Sequence, residues 1–224
     1  SDVPKPMFSD QQYSLFERSL AEYSERQLSI ADRPEAHLNI GLVHQRMGKL
    51  SEAEASYKTA IRLVPDDLPS RFNLANLYNA QGHNVEAEAM LREIVAIDAD
   101  NGEAHYSLGL LLAEVGRLNG AEASLATAAR LLPDRPRVHY NHALSLKRLG
   151  RDGDALIVMQ QIVDAKSADP MMIYLLTAWL AEAKRYNEAL PWAKKLVELL
   201  PNEDGARRLL IDIRNKKLKH EGAL

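Results

Sequence analysis

Cysteine is absent from the 224 residues of this chain. Disulfide bonds, thiolate metal ligands, cysteine nucleophiles and CxxCH haem-attachment motifs are therefore excluded within it. No apolar run approaches the roughly 20 residues that a helix needs to cross a bilayer. The formal net charge is only −3, so the composition predicts no general attraction to nucleic acid or to anionic membranes.

Signals for export and for catalysis are also missing. No positively charged and then apolar leader begins at Ser1. We therefore expect a cytoplasmic protein, or one whose leader or larger N-terminal part lies outside this sequence. The chain has no GxGxxG, no complete phosphate-binding loop and no GxSxG. We accordingly expect no catalytic residues and no cofactor, and an enzyme is the least favoured functional class.

A repeat of 34 residues organises most of the sequence. Glycine recurs at this spacing and alanine follows each glycine by five residues, with one further alanine a period later: Gly48, Gly82, Gly116, Gly150; Ala53, Ala87, Ala121, Ala155, Ala189. A period of this length with small residues at fixed offsets indicates stacked helix-turn-helix units. The five predicted repeats are 34–67, 68–101, 102–135, 136–169 and 170–203.

Each repeat has the apolar spacing of two helices. Positions 7, 8 and 11 form a stripe on a first helix, and positions 20, 24 and 27 form one on a second helix. We expect the small residues at positions 8 and 20 to meet, so that the two axes approach closely. Glycine at position 15 ends the first helix and proline at position 32 ends the second. The first helices are predicted near 35–47, 69–81, 103–115, 137–149 and 171–183, and the second near 51–63, 85–97, 119–131, 153–165 and 187–199.

These residues resemble the tetratricopeptide repeat. The stretch PEAHLNIGLVHQRMGKLSEAEASYKTAIRLVPDD is similar to that family at positions 7, 8, 11, 15, 20, 24, 27 and 32. The resemblance implies an all-α, right-handed solenoid that acts as a protein-interaction scaffold. The fifth repeat departs from the pattern, because Thr177 and Lys184 replace a small residue and a glycine. Position 4, usually tryptophan in the family, also varies: His37, Arg71, His105, His139, Ile173.

A helix is predicted on each side of the repeats. In the N-terminal segment 1–33, residues 9–30 have a helical pattern that should pack on the first repeat. In the C-terminal segment 204–224, residues 206–218 combine an apolar stripe with several Arg and Lys. We interpret this basic helix as a solvated cap of the array rather than as a nucleic-acid patch.

The resemblance places the binding surface on the first helices, at positions 2, 5, 6, 9, 12 and 13. Aromatic residues recur at position 5 and asparagine at position 6. Asparagine can donate to and accept from a peptide backbone, and aromatic side chains add apolar contact area. The candidate groove residues are Asn39, Phe72, Asn73, Asn76, Tyr106, Tyr140, Asn141, Lys147, Arg148 and Tyr174. The alternative is that this ladder only packs neighbouring helices together.

Two further expectations concern ligands. The pair His139 and His142 has a spacing that can bind a metal, but we interpret both as packing residues and expect no metal site. Lys147 and Arg148, with Arg46 and Arg137, add positive charge, so a partly apolar, neutral to mildly acidic protein segment is the expected ligand. The partner's identity and the oligomeric state are not predicted.

A second resemblance concerns a possible parent protein. The run LAEYSERQLSIADRPEAHLNIGLVHQRMGKLSEAEASY, with LPSRFNLANLYNAQG and HYSLGLLLAEVGRL after it, resembles the C-terminal repeat region of bacterial periplasmic multihaem cytochromes c. It implies that this chain could be an accessory part of an electron-transfer protein, and then periplasmic.

Overall fold

The computed structural model describes residues 14–15, 18–19, 22–23, 33–164 and 169–222. All of its regular structure in these residues is helical. Eleven helices follow one another from residue 34 to residue 221: α1 Pro34–Arg46, α2 Leu50–Leu63, α3 Leu68–Ala80, α4 Asn84–Ile97, α5 Gly102–Glu114, α6 Leu118–Leu131, α7 Pro136–Arg148, α8 Asp152–Asp164, α9 Pro170–Glu182, α10 Tyr186–Leu199 and α11 Asp204–Glu221. The all-α expectation is confirmed.

The helices begin and end within one residue of their expected positions in all five repeats. The glycines at position 15 explain the accuracy of the first-helix ends, because each has the left-handed backbone that stops a helix. Their φ angles are 72° at Gly48, 76° at Gly82, 78° at Gly116 and 75° at Gly150. A residue without a Cβ adopts this conformation at little cost.

The chain forms two compact units, residues 1–111 and 112–224. In the first unit, Tyr57, Leu74, Leu77 and Ile94 are fully buried between α1, α2, α3 and α4. In the second, a continuous core joins α7, α8, α9, α10 and α11, and its largest fully buried side chains include Met159, Leu176 and Leu196. Within each unit, the apolar stripes are therefore buried between adjacent helices.

Gly41 shows how close the first two helices come. A Cβ added at this residue would lie 2.4 Å from Cε1 of Tyr57, and the three nearest atoms all belong to that ring. We expected position 8 to face the alanine at position 20, but in this repeat the space above Gly41 is taken by the aromatic ring at position 24. The Tyr57 hydroxyl donates to Oε1 of Gln45 at 2.7 Å.

The fifth repeat keeps the same helices despite its unusual residues. Thr177 is fully buried, and its hydroxyl donates to the backbone oxygen of Ile173 at 2.6 Å. The buried hydroxyl of this threonine is therefore hydrogen-bonded. Lys184 replaces the glycine of the other repeats and adopts the same left-handed backbone, with φ 59°. This conformation is unfavourable for a residue with a Cβ.

The two flanking segments are described to different extents. The described residues 14–15, 18–19 and 22–23 are helical and exposed, whereas the other residues of the expected helix 9–30 lie outside the described part. The C-terminal helix is longer than predicted, since it begins at Asp204 and ends at Glu221. Its start falls 34 residues after that of α9, in step with the first helices. Among the described residues, none of the helices is both long and apolar enough to cross a membrane.

Candidate functional site

In two repeats, a glutamate at position 21 links the second helix to the next first helix. In the first unit, the Tyr78 hydroxyl donates to Oε1 of Glu54 at 2.9 Å, and Lys58 donates to the same oxygen at 2.6 Å. These bonds, with the Lys58 bond contributing most, lower the pKa of Glu54. The same position in the third repeat is Glu122, whose Oε1 lies 3.4 Å from Nε2 of His142 and 3.3 Å from Nη1 of Arg151.

Three histidines, His105, His139 and His142, contact residues of the preceding repeat. Burial lowers the pKa of His142, and this outweighs the opposing effect of Glu122. The ring nitrogens of His105 and His139 lie 3.0 Å from the backbone oxygens of Ala99 and Pro133, in the turns that precede their helices. Within the described residues, no group of three or more His, Cys, Asp or Glu side chains is placed to hold a metal.

Five of the ten candidate groove residues lie in the first compact unit. Asn39, Phe72, Asn73 and Tyr106 are half-buried, and Asn76 is exposed. The amide nitrogen of Asn73 donates to the backbone oxygen of Pro69 in its own helix at 2.8 Å. One donor of this asparagine is therefore already used.

The other five lie in the second unit, where one of them, Tyr140, forms an aromatic pair with a residue of the next repeat. Tyr140 on α7 stacks on Trp179 of α9, with ring centroids 6.3 Å apart and planes at 30°. Tyr174 on α9 is 43% exposed, and Met171, one turn earlier on the same helix, is 58% exposed. The first helix of the fifth repeat thus presents large apolar side chains to solvent, and residues three apart share a helix face.

Lys147 lies beside this aromatic pair and is ion-paired. Its Nζ is 2.6 Å from Oε2 of Glu182, 3.7 Å from Oδ1 of Asp152 and 5.3 Å from the centroid of the Trp179 ring. The positive charge that we expected Lys147 to offer a ligand is therefore balanced by two carboxylates of the chain itself.

The same side chains line a depression of about 110 Å³ between α7, α8 and α9. Lys147, Asp152 and Glu182 supply its charges, and Trp179 and Leu156 supply apolar walls. Sites for drug-sized ligands and cofactors measure roughly 300–1,000 Å³. This depression has room for the end of one side chain only.

Arg148 and Asn141 complete the candidate residues of the second unit. Arg148 is exposed, and its Nη1 donates to the backbone oxygen of Ala113 at 3.1 Å, which holds the guanidinium against the end of α5. Asn141 is half-buried on α7, next to Tyr140 in the sequence.

Trp179 is the important residue that the sequence reasoning missed. It occupies position 10, outside the positions predicted to line the binding surface, yet it contacts both Tyr140 and Lys147. One signal was available, because only two tryptophans occur in the chain and tryptophan is enriched in binding hot spots. Its pairing with residues more than 30 positions earlier could be seen only in the folded chain.

Comparison with family models gives two adjacent matches. Models described as tetratricopeptide repeat match residues 44–111 and 106–170, and together they reach over more than half of the chain. A search of curated protein sequences found no match.

Solved structures of several repeat proteins have a similar fold. YrrB, a tetratricopeptide protein with an unusual peptide-binding site, has a TM-score of 0.65 and 17% identity over 86% of this chain and 97% of its own. MamA from Desulfovibrio magneticus RS-1 has a TM-score of 0.63 and 18% identity over 76% and 97%. PilF from Pseudomonas aeruginosa has a TM-score of 0.60 and 17% identity over 85% and 97%. At these identities the similarity establishes the fold alone.

Proposed function

Because this chain belongs to the tetratricopeptide repeat family, whose members are generally protein-interaction scaffolds, we propose that it binds an extended segment of a partner protein on its first helices. The observation that carries the proposal is the apolar surface of the fifth repeat, where Met171 and Tyr174 are exposed and Tyr140 stacks on Trp179. Exposed aromatic and Met side chains are enriched in protein interfaces.

The remaining candidate residues have supporting roles in this proposal. In the second unit, Asn141 would form a hydrogen bond with the backbone of the segment, and in the first unit Asn73 would do the same for a segment on that unit's own first helices; each bond is worth about 1 kcal/mol net. Asn39 and Asn76 would add further polar contacts, and Phe72 and Tyr106 would add apolar ones. Catalysis, a cofactor, a metal and nucleic acid have no part in the proposed function.

Photocrosslinking tests the proposal. Replacing Tyr174 by benzoylphenylalanine should trap a partner from the source cell's extract, and mass spectrometry should map the adduct to one contiguous segment. The matched control is the same replacement at Lys194, which is exposed on the second helix α10 and should trap nothing specific. Equal trapping at both positions, or none at Tyr174, would reject the proposed surface.

A second candidate is that the chain is the accessory repeat region of a multihaem electron-transfer cytochrome. Its support is the sequence likeness of residues 20–57, 68–82 and 105–118 to such regions. The two functions are compatible, since an accessory region can bind partners. Haem staining of the natural gene product distinguishes them: covalent haem would establish the cytochrome parent, and its absence would leave the scaffold alone.

A further inference from the structure

The charged side chains that line the depression beside Trp179 favour one kind of ligand group. Among the residues that line it, two are carboxylates, Asp152 and Glu182, and one is a cation, Lys147. Glu182 is the last residue of α9, so its carboxylate lies at the negative end of the helix dipole, where a cation is favoured. The lining therefore attracts a positive group and repels an acidic one.

Lys147 already occupies this environment in the way a ligand cation would. Its ammonium group lies over the face of Trp179 and between the two carboxylates. An aromatic face and paired carboxylates are together a recognised environment for ammonium and guanidinium groups.

The internal pairing is weak enough to be exchanged. The Lys147 side chain is 28% exposed, and those of Asp152 and Glu182 are 60% and 65% exposed. Ion pairs whose carboxylates are this exposed contribute little to stability, because water competes for the carboxylate oxygens. Lys147 can therefore swing into solvent when another cation enters, and it loses little by doing so.

We propose that this depression receives a basic side chain, Lys or Arg, of the bound protein segment, and that Lys147 occupies the place in the free protein. The inference rests on the proposed function, which supplies the bound segment. At this place it replaces the expectation of a neutral to mildly acidic ligand, because that expectation drew in part on the charge of Lys147, which Asp152 and Glu182 balance. The neighbouring aromatic pair, Tyr140 and Trp179, would hold the apolar part of the same side chain.

The test uses three capped peptides, Ala-Leu-Ser-Xaa-Ser-Leu-Ala, in which Xaa is arginine, citrulline or glutamate. Citrulline keeps the shape of arginine without its charge. The readout is the indole N–H signal of Trp179 in nitrogen-15 spectra of the whole chain. Trp192 is an internal control, because it also has a lysine over its ring, Lys195 at 5.2 Å, but does not line the depression.

The arginine peptide should shift the Trp179 signal with about fivefold to tenfold higher affinity than the citrulline peptide, and Trp192 should not respond. Lys147→Met should raise the affinity for the arginine peptide about threefold, because the internal competitor is gone. Lys195→Met, with the same loss of charge elsewhere, should leave it unchanged. Glu182→Gln should reduce the preference for arginine over citrulline.

Three results would overturn the inference: strongest binding of the glutamate peptide, weaker arginine binding in Lys147→Met, or no response of Trp179 to any peptide. Equal affinity for the arginine and citrulline peptides would also reject the basic pocket, but would leave the proposed binding surface standing. The proposed function is tested separately, by the crosslinking at Tyr174 and its control at Lys194.

Discussion

At the scale of single residues, the packing of the first repeat depends on the missing side chain of Gly41. The Tyr57 ring fills the space where a Cβ would be, and the ring is fully buried, with its hydroxyl bonded to Gln45. Burial raises the pKa of the Tyr57 hydroxyl to about 12, so this bond persists at any ordinary pH.

Replacing Gly41 by alanine should destabilise the protein by about 1–3 kcal/mol, the usual cost of overpacking a tight contact. Gly153→Ala is the matched control, because a Cβ there would meet nothing within 4 Å and alanine favours a helix. Urea unfolding should show a loss of stability for the first variant and none for the second. Equal effects of both changes would mean that the Gly41 contact is unimportant.

Lys184 affects stability through its backbone conformation. It has φ 59°, in a turn where four repeats use glycine. Lys184→Gly should stabilise the chain by about 0.5–1 kcal/mol, since relief of the left-handed strain exceeds the entropy lost by glycine on folding. Lys184→Ala keeps the strain and should give no gain in thermal denaturation. A melting temperature that rises equally in both variants would assign the effect to the lost charge instead.

At the scale of elements, repeats are held together by polar contacts between a second helix and the following first helix. Glu54 with Tyr78, and Glu122 with His142, are two versions of the same link. Glu122 also contacts Arg151, and His139 lies near enough to His142 to affect its charge. Of these two links, only the second contains a histidine, whose pKa burial holds below its ordinary value.

Stability should therefore fall on mild acidification. The folded pKa of His142 lies below its ordinary value of 6.5 because the ring is buried, so the unfolded chain takes up this proton first. Above the pKa of His142 in the unfolded chain, this protonation does not affect the free energy of unfolding. As the pH falls from that pKa towards the lower pKa of the folded state, the free energy of unfolding decreases. Urea unfolding at about pH 7.5 and about pH 5.5 should show this decrease, and His142→Gln should reduce it. An identical pH dependence in the variant would assign the effect to other groups.

The element scale also shows what could be derived from the sequence. Helix ends were predictable within one residue because glycine and proline act locally, through backbone conformation and a missing N–H. The contact of Gly41 with Tyr57, and the pairing of Lys147 with Glu182 35 residues later, depend on packing between helices. Pattern reasoning therefore indicated the first helices as the candidate surface, but it could not show that Lys147 pairs with Glu182, and it omitted Trp179.

At the scale of the whole molecule, different parts of the chain have different roles. Apolar stripes, glycine turns and the position-21 glutamates build the repeats. In the second compact unit, Tyr174 is exposed and Tyr140 and Trp179 are half-buried, so these aromatic side chains keep surface that a partner can contact. The central claim is that this surface, rather than an equivalent exposed surface elsewhere, binds the partner segment.

Calorimetric titration with two matched tryptophan variants tests that claim most directly. The ligand is the segment identified by crosslinking at Tyr174, synthesised as a peptide, and circular dichroism verifies that both variants keep their helices. Trp179→Leu should weaken binding about tenfold, or roughly 1.4 kcal/mol. Trp192→Leu, which also removes a tryptophan with a lysine over its ring, should bind like the unmodified protein. Unchanged affinity in Trp179→Leu, or an equal loss in both variants, would contradict the account.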